Sequence, residues 1–148
     1  MARDPLATLI KVRKRACDEA QRRLVEALAF EDRAEQTSHR LERTIAQETQ
    51  AATDVTSSDA MVEAFAAWLP GARQQLASAR QVLMDRQAET MRNRAELTAC
   101  RTALETVETL QKERKAATQR AIEAVYARDL EDRPLGPEWR DMNARDAQ

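Results

Sequence analysis

Apolar residues recur every seven positions through the second half of the chain. If these positions are named a, leucine occupies five of six in succession, with Thr90 at the other; the leucines are Leu69, Leu76, Leu83, Leu97 and Leu104. The d positions that accompany them are Phe65, Ala72, Ala79, Arg86, Asn93, Cys100 and Val107. A heptad repeat sustained over this length predicts a coiled coil.

The first half carries the same repeat with smaller residues, and we call the a and d positions of both halves the seam. Its a positions are Ile10, Cys17, Leu24, Glu31, Ser38, Ile45 and Ala52. Its d positions are Leu6, Arg13, Ala20, Ala27, Ala34, Leu41 and Glu48. Because this half of the seam is rich in alanine, it suits a closely packed partner helix that offers leucines.

Breaks in the pattern delimit two helices, over about residues 5–54 and 59–132. Asp4 and Pro5 suit a helix start, and the Pro-Gly-rich run that begins at Pro134 ends the second helix. The break lies within residues 51–59, with the turn at about 55–59, and Thr56 and Asp59 are spaced as a capping box. Pro70 should kink the second helix without stopping it, because the apolar phase continues across it. The remaining tail, residues 134–148, should be flexible.

Two consecutive helices of this kind predict an all-α fold, an antiparallel coiled-coil hairpin in which the second helix is longer. Single helices of these lengths would extend roughly 75 Å and 110 Å. In such a hairpin the numbers of facing residues have a constant sum. A sum of 117 places Glu31 opposite Arg86 and Cys17 opposite Cys100, whereas a sum of 110 leaves Arg86 facing an apolar residue. We therefore expect 117.

This register leaves the end of the second helix, about residues 113–132, without a partner helix. The end should be one part of a single hairpin domain over residues 1–133. It carries an apolar stripe formed by Ala117, Ala121, Ile122 and Val125, with Tyr126 and Leu130 beside it. An apolar stripe of this kind predicts that another molecule covers it. The alternative is a helix end that frays or dimerises in solution.

Composition argues for an extended helical protein that binds other proteins. More than half of the residues are Ala, Glu, Lys, Leu or Arg, and 24 basic residues nearly balance 25 acidic ones. This balance, with a pI of about 6.0, argues against a nucleic-acid partner. No apolar run is long enough for a membrane span. The two cysteines have neither metal-ligand nor disulfide-framework spacing, and they fit a reducing cytosol.

Catalytic chemistry has little support in the sequence. His39 is the only histidine, and a solvated position on the flank of the first helix is more plausible for it than a general-base role. Phosphate loops, paired nucleophiles and bases, and clustered metal ligands are all missing from the sequence. We therefore predict no catalytic residue, no cofactor, no metal and no enzymatic activity.

Basic residues concentrate near the end of the predicted hairpin where the chain starts, which we call the open end. On the first helix they are Lys11, Arg13, Lys14 and Arg15, and on the second helix Lys112, Arg114 and Lys115. They form either an ordinary solvated face or a surface that docks into an acidic protein cavity. Aromatic residues that would stack on nucleic-acid bases do not accompany them.

Several stretches resemble the FliJ family of flagellar type III export proteins. They are the opening PLATLIKVRK (5–14), the segment DEAQRRL (18–24), FAAWL (65–69) and LQKER (110–114). The resemblance covers about residues 5–130. One departure is the end of the second helix, where LEDRP (130–134) replaces the family's charged run and its closing Asp-Glu pair.

The resemblance implies a stalk-like coiled coil that inserts into the hexameric export ATPase and contacts the cytoplasmic domain of the export gate. Export chaperones are further candidate partners. Such a protein would be cytoplasmic, meeting the inner face of the membrane only through its partners. The positions matching the family's gate contact are Phe65, Leu69, Ala72 and Leu76. We assign ATPase binding to the basic residues of the open end together with Ile122 and Val125.

Two other functions share this architecture. One is the stalk protein of a virulence-type injectisome, which the genomic neighbourhood would distinguish. The other is a structural coiled-coil adaptor unrelated to secretion, which would self-associate through its apolar stripe.

Overall fold

Two long helices make up nearly all of residues 4–133, the part of the chain that a computed structural model describes. Helix α1 covers Pro5–Thr53 and helix α2 covers Asp59–Glu131. No strand occurs within residues 4–133. The predictions of an all-helical protein, of two helices that pack against each other and of a longer second helix are confirmed. The predicted flexible tail lies outside the described residues.

The chain divides into two compact units, Met1–Glu105 and Thr106–Gln148. The first contains all of α1 and most of α2, and the second contains the last part of α2. The predicted boundary of a single hairpin domain at residue 133 stays a prediction.

Capping side chains explain where each helix begins. The Asp4 carboxylate accepts a hydrogen bond from the Leu6 backbone N–H at 3.0 Å, and Pro5 occupies the first turn, where its missing N–H has no cost. At α2 the Ser58 hydroxyl accepts from the Met61 N–H at 3.4 Å. The residue that caps α2 is therefore Ser58. The capping box predicted at Thr56, two residues earlier, is wrong.

Side chains in the turn between the helices bind backbone groups of the turn and of the end of α1. The Asp54 carboxylate accepts from the Thr56 backbone N–H at 3.2 Å, and the Ser57 hydroxyl donates to the Ala51 carbonyl at 2.5 Å. Asp54 itself is extended, with ψ of 140°, and it ends α1. Local side-chain bonds of this kind compete with the helical ladder and so stop the helix.

Helix α2 continues through Pro70 and Gly71. Proline in a helix interior loses one backbone hydrogen bond and costs about 3 kcal/mol or more. Seam residues on either side offset this cost, since Leu69 is half-buried and Ala72 is buried. The continuation agrees with the unbroken apolar phase across this point.

Burial follows the heptad. The buried residues, all of them at a or d positions, are Ile10, Ala20, Ala27, Ala34, Ser38, Ala72, Thr90 and Leu97. Two expected members of the seam are exceptions, since Arg13 and Glu48 are exposed. Their long charged side chains reach water from the edge of a thin seam, which avoids the cost of burying an unpaired charge.

Polar contacts between the helices establish their direction. Arg80 donates to Glu42 at 2.8 Å, Arg23 pairs with Glu96 at 3.1 Å, and Arg101 donates to Gln21 at 3.0 Å. Residue numbers fall along α2 as they rise along α1, so the helices run antiparallel. The residue numbers in these pairs sum to 122, 119 and 122, and Cys17 interacts with Cys100, whose numbers sum to the expected 117. A sum of 110 would displace one helix by a heptad, roughly 10 Å.

One predicted seam interaction is absent from its expected place. Arg86 donates to Glu89 on its own helix at 2.8 Å, and its guanidinium lies 4.9 Å from the centre of the Phe30 ring. The buried Oε2 atom of Glu31 has no hydrogen-bond partner. The predicted Glu31–Arg86 pair is therefore wrong. Arg86 pairs with Glu89 because residues three apart lie on the same face of a helix. The Phe30 ring also attracts the Arg86 guanidinium.

The Thr90 hydroxyl generates a stability prediction. Thr90 is 2% exposed, and its Oγ1 atom has no hydrogen-bond partner. A buried unsatisfied hydroxyl costs about 1–3 kcal/mol, so Thr90→Val should raise the free energy of unfolding by about 1 kcal/mol or more. Urea titration followed by circular dichroism measures it. Thr98→Val is the control, because the exposed Thr98 hydroxyl donates to the Arg94 carbonyl. An equal gain in both variants would contradict the explanation.

The Glu42–Arg80 contact generates a prediction about pH. Hydrogen bonding from Arg80 is the largest cause that lowers the pKa of Glu42, and His39 lowers it further. A lowered carboxyl pKa stabilises the folded chain above the ordinary glutamate value of about 4.3, and this contribution disappears as the pH falls through the lowered pKa. Glu42→Gln should therefore lower Tm at pH 7 but leave it nearly unchanged at pH 3. Glu26→Gln, on an exposed part of α1, should change Tm little at either pH.

Candidate protein-binding surfaces

The first candidate surface lies on α1, two turns from its start. Lys11, Arg13, Lys14 and Arg15 are all exposed. They succeed one another around the helix, so positive charge covers more than one face of α1. No acidic side chain occupies the first turn of the helix. This concentration of positive charge can attract and orient an acidic partner.

The second candidate surface lies in the last part of α2. Every residue from 112 to 133 is exposed, which includes the basic Lys112, Arg114 and Lys115. Whether these three lie beside the basic residues of α1 stays a prediction. Nothing among the described side chains covers this stretch of helix.

An apolar patch follows the basic residues of this stretch. Ile122 is 44% exposed and Val125 is 55% exposed, and with Thr118, Ala121 and Tyr126 they line a shallow apolar depression. Spacings of three and four residues place these side chains on one face of the helix. Sequence reasoning placed Tyr126 beside the apolar stripe but did not count it among the ATPase-binding residues, although it lies four residues after Ile122.

The residues that match the family's gate contact are not openly exposed. Ala72 is buried, and Phe65, Leu69 and Leu76 are half-buried. All four are seam residues of the first unit. A partner could contact them fully only if the helices separated locally.

An open groove beside these residues is accessible without separation. Its volume is about 480 Å³, and it is lined by Thr44, Glu48, Ala51, Ala52, Met61, Ala64, Phe65 and Trp68. The Trp68 ring lies 5.9 Å from that of Phe65, at 39°. Sequence reasoning missed this groove. The pattern that could have indicated it is a pair of large apolar residues beside the seam, Met61 and Trp68, which are seven residues apart.

The described side chains offer no evident centre for metal or acid–base chemistry. Residues 4–133 contain no group of three or more His, Cys, Asp or Glu side chains that could hold a metal ion. His39 is exposed on α1, with Nδ1 3.3 Å from Glu42 and Nε2 3.7 Å from Glu35. Neither helix is apolar enough over a sufficient length to cross a membrane.

Comparison with protein families identifies the family of the chain. The family model described as flagellar FliJ protein matches residues 1–125. The chain belongs to the FliJ family. This confirms the resemblance seen in the sequence and implies a component of the flagellar export apparatus. Searches among curated proteins and solved structures give no match.

The FliJ match includes every candidate residue described above except Tyr126. It covers all of α1 and α2 as far as Val125. The family is one of export components, not of enzymes. Function is therefore to be sought in the exposed surfaces of the two helices.

Proposed function

We propose that this FliJ-family chain is a non-enzymatic stalk of the flagellar export apparatus. As an antiparallel coiled-coil hairpin, it inserts its open end into the hexameric export ATPase and couples the ring to the cytoplasmic domain of the export gate. Export chaperones are further candidate partners. The protein acts in the cytoplasm, at the inner face of the membrane, and reaches that membrane through its partners.

The observation that carries the ATPase contact is the exposure of the whole segment 112–133. A single helix about 10 Å across can enter the central channel of a ring, and this one presents an apolar patch around Ile122 and Val125. Burial of the patch contributes about 25 cal/mol per Å² of apolar surface. The flanking Lys112, Arg114 and Lys115 accelerate and orient the encounter with an acidic channel wall.

The gate contact is proposed for the turn end of the hairpin, the end formed by residues 44–76. Met61 and Trp68 are exposed there, and Phe65 joins them in the open groove. A gate segment can bind these three side chains first. Contact with Leu69, Ala72 and Leu76 then requires the seam to open, which costs the burial of those residues. The groove therefore serves as the entry to the family's gate-contact positions.

The family match favours the flagellar system over a virulence-type injectisome, because the matching family is the flagellar one. A structural adaptor unrelated to secretion would use the Ile122–Val125 patch to self-associate. Sedimentation equilibrium separates these functions, since a stalk that enters a ring one copy at a time should remain monomeric at micromolar concentration.

The patch supplies the main test of the ATPase contact. A chain with both Ile122→Asp and Val125→Asp should lose binding to the hexameric ATPase and stimulation of ATP hydrolysis by at least tenfold. Its helical circular dichroism should stay almost unchanged, because both side chains are exposed. Binding is measured by sedimentation with the purified ring and hydrolysis by phosphate release.

The matched control combines Met84→Asp and Met91→Asp on the same helix. These methionines are 61% and 70% exposed, so the control adds the same charge at a similar exposure outside the patch. It should bind and stimulate as the unchanged chain does. Normal stimulation by the Ile122 and Val125 variant would rule out the patch as the contact with the ring.

The basic residues of α1 should affect the rate of association more than the final affinity. Arg13→Glu combined with Arg15→Glu should slow association with the ATPase at least tenfold at low salt and make the rate less sensitive to salt. Stopped-flow measurements at two salt concentrations test this. Arg40→Glu with Arg43→Glu makes the same charge change elsewhere on exposed α1, and should have a clearly smaller effect. Equal slowing by both variants would mean that net charge alone controls association.

A further inference from the structure

The chain's two cysteines are placed opposite each other in the seam. Cys17 is an a position of α1, Cys100 is a d position of α2, and their numbers add to the expected sum of 117. Both are free thiols and both are half-buried. The chain has no other cysteine. Neither residue takes part in the proposed contacts with the ATPase or the gate.

Contacts on both sides of the seam hold this layer in register. On one side Arg101 donates to Gln21 at 3.0 Å, and on the other Arg23 pairs with Glu96 at 3.1 Å. The next layer of the same register brings together Ala20, which is 1% exposed, and Leu97, which is 6% exposed. A small alanine in that layer lets the backbones approach closely, and a disulfide needs Cα atoms less than about 7 Å apart.

The two thiols also influence each other directly. Partial burial is the largest cause that raises the pKa of Cys17, and the neighbouring Cys100 raises it further as a charge and as a hydrogen-bond partner. Asp18 raises this pKa as well, whereas Arg101 lowers it. The close approach of the second thiol means that any oxidised form of one sulfur has an attacking group beside it.

We propose that Cys17 and Cys100 are a site of oxidative modification at which a peroxide joins α1 to α2 by an intramolecular disulfide. One thiolate attacks hydrogen peroxide, the O–O bond breaks, and the sulfur becomes a sulfenic acid with release of water. The second thiol then displaces the sulfenic hydroxyl, and the S–S bond forms as a second water leaves. Overall, two thiols are oxidised and one peroxide is reduced to two waters.

The disulfide limits the separation of α1 from α2 and adds no new binding surface. In the reduced chain, α1 is held to α2 by a thin seam and a few exposed polar contacts. In the oxidised chain, the first part of α1 stays attached even when those contacts break, and the register of the seam is fixed until the disulfide is reduced. Because the bond closes a loop that includes the whole turn end, it removes much of the chain entropy of the unfolded state.

The test uses the full-length chain at low micromolar concentration, treated with hydrogen peroxide and then alkylated. We expect a monomer that has lost two hydrogen atoms in intact mass, and a peptide that links Cys17 to Cys100. Its Tm should rise by about 10 °C, from a closed loop of this length in a chain of this size. A thiol reductant should restore the original Tm. Cys17→Ser and Cys100→Ser should each abolish the link and the rise in Tm.

Moving one thiol out of the seam tests whether the seam position causes the disulfide to form quickly. The control combines Cys100→Ser with Thr98→Cys, because Thr98 is exposed on the same helix and off the seam. It should form the intramolecular link at least tenfold more slowly. An equal rate in the control, links only between chains, or a link that leaves Tm unchanged would each overturn the proposal.

Discussion

Close packing along one narrow alanine-rich stripe is the constraint on which the rest of the structure depends. Helix α1 contributes Ala20, Ala27 and Ala34 to its buried set, so the helices can lie close together but bury little area. Two helices with a single line of contact have no interior in which to enclose a ligand. The many exposed apolar and charged side chains are a direct result. Activity in such a chain must come from surfaces offered to partners.

The features that sequence alone predicted well are those that follow from periodicity. A seven-residue repeat of leucines identifies the side of α2 that is buried, and the scarcity of glycine and proline identifies two helices with one break. The buried positions, from Ile10 to Leu97, are all members of the predicted seam. Burial is a property of a whole helix face, so it is visible in a pattern extended over many residues.

The features that sequence did not predict depend on competition between neighbouring groups. Thr56 and Ser58 both carry a hydroxyl that can cap a helix, and the Ser58 hydroxyl is the one that accepts from the Met61 N–H. Arg86 had an acidic residue opposite it and another on its own helix, and it pairs with the nearer Glu89. The residues proposed for the gate contact illustrate the same limit, since one heptad pattern is compatible with both a seam and a binding face. The arrangement of the side chains in the structure is needed to choose between such alternatives.

Pro70 has a mechanical consequence for a protein made of two long helices. A helix resists bending because backbone hydrogen bonds connect each turn to the next. Pro70 has no N–H to donate to the Ala66 carbonyl, so one of these hydrogen bonds is missing. Of the positions in α2, this is the one where curvature has the lowest energetic cost. It lies one turn beyond Phe65, between the groove and the alanine-rich part of the seam. A force on the turn end should therefore bend α2 most readily at Pro70.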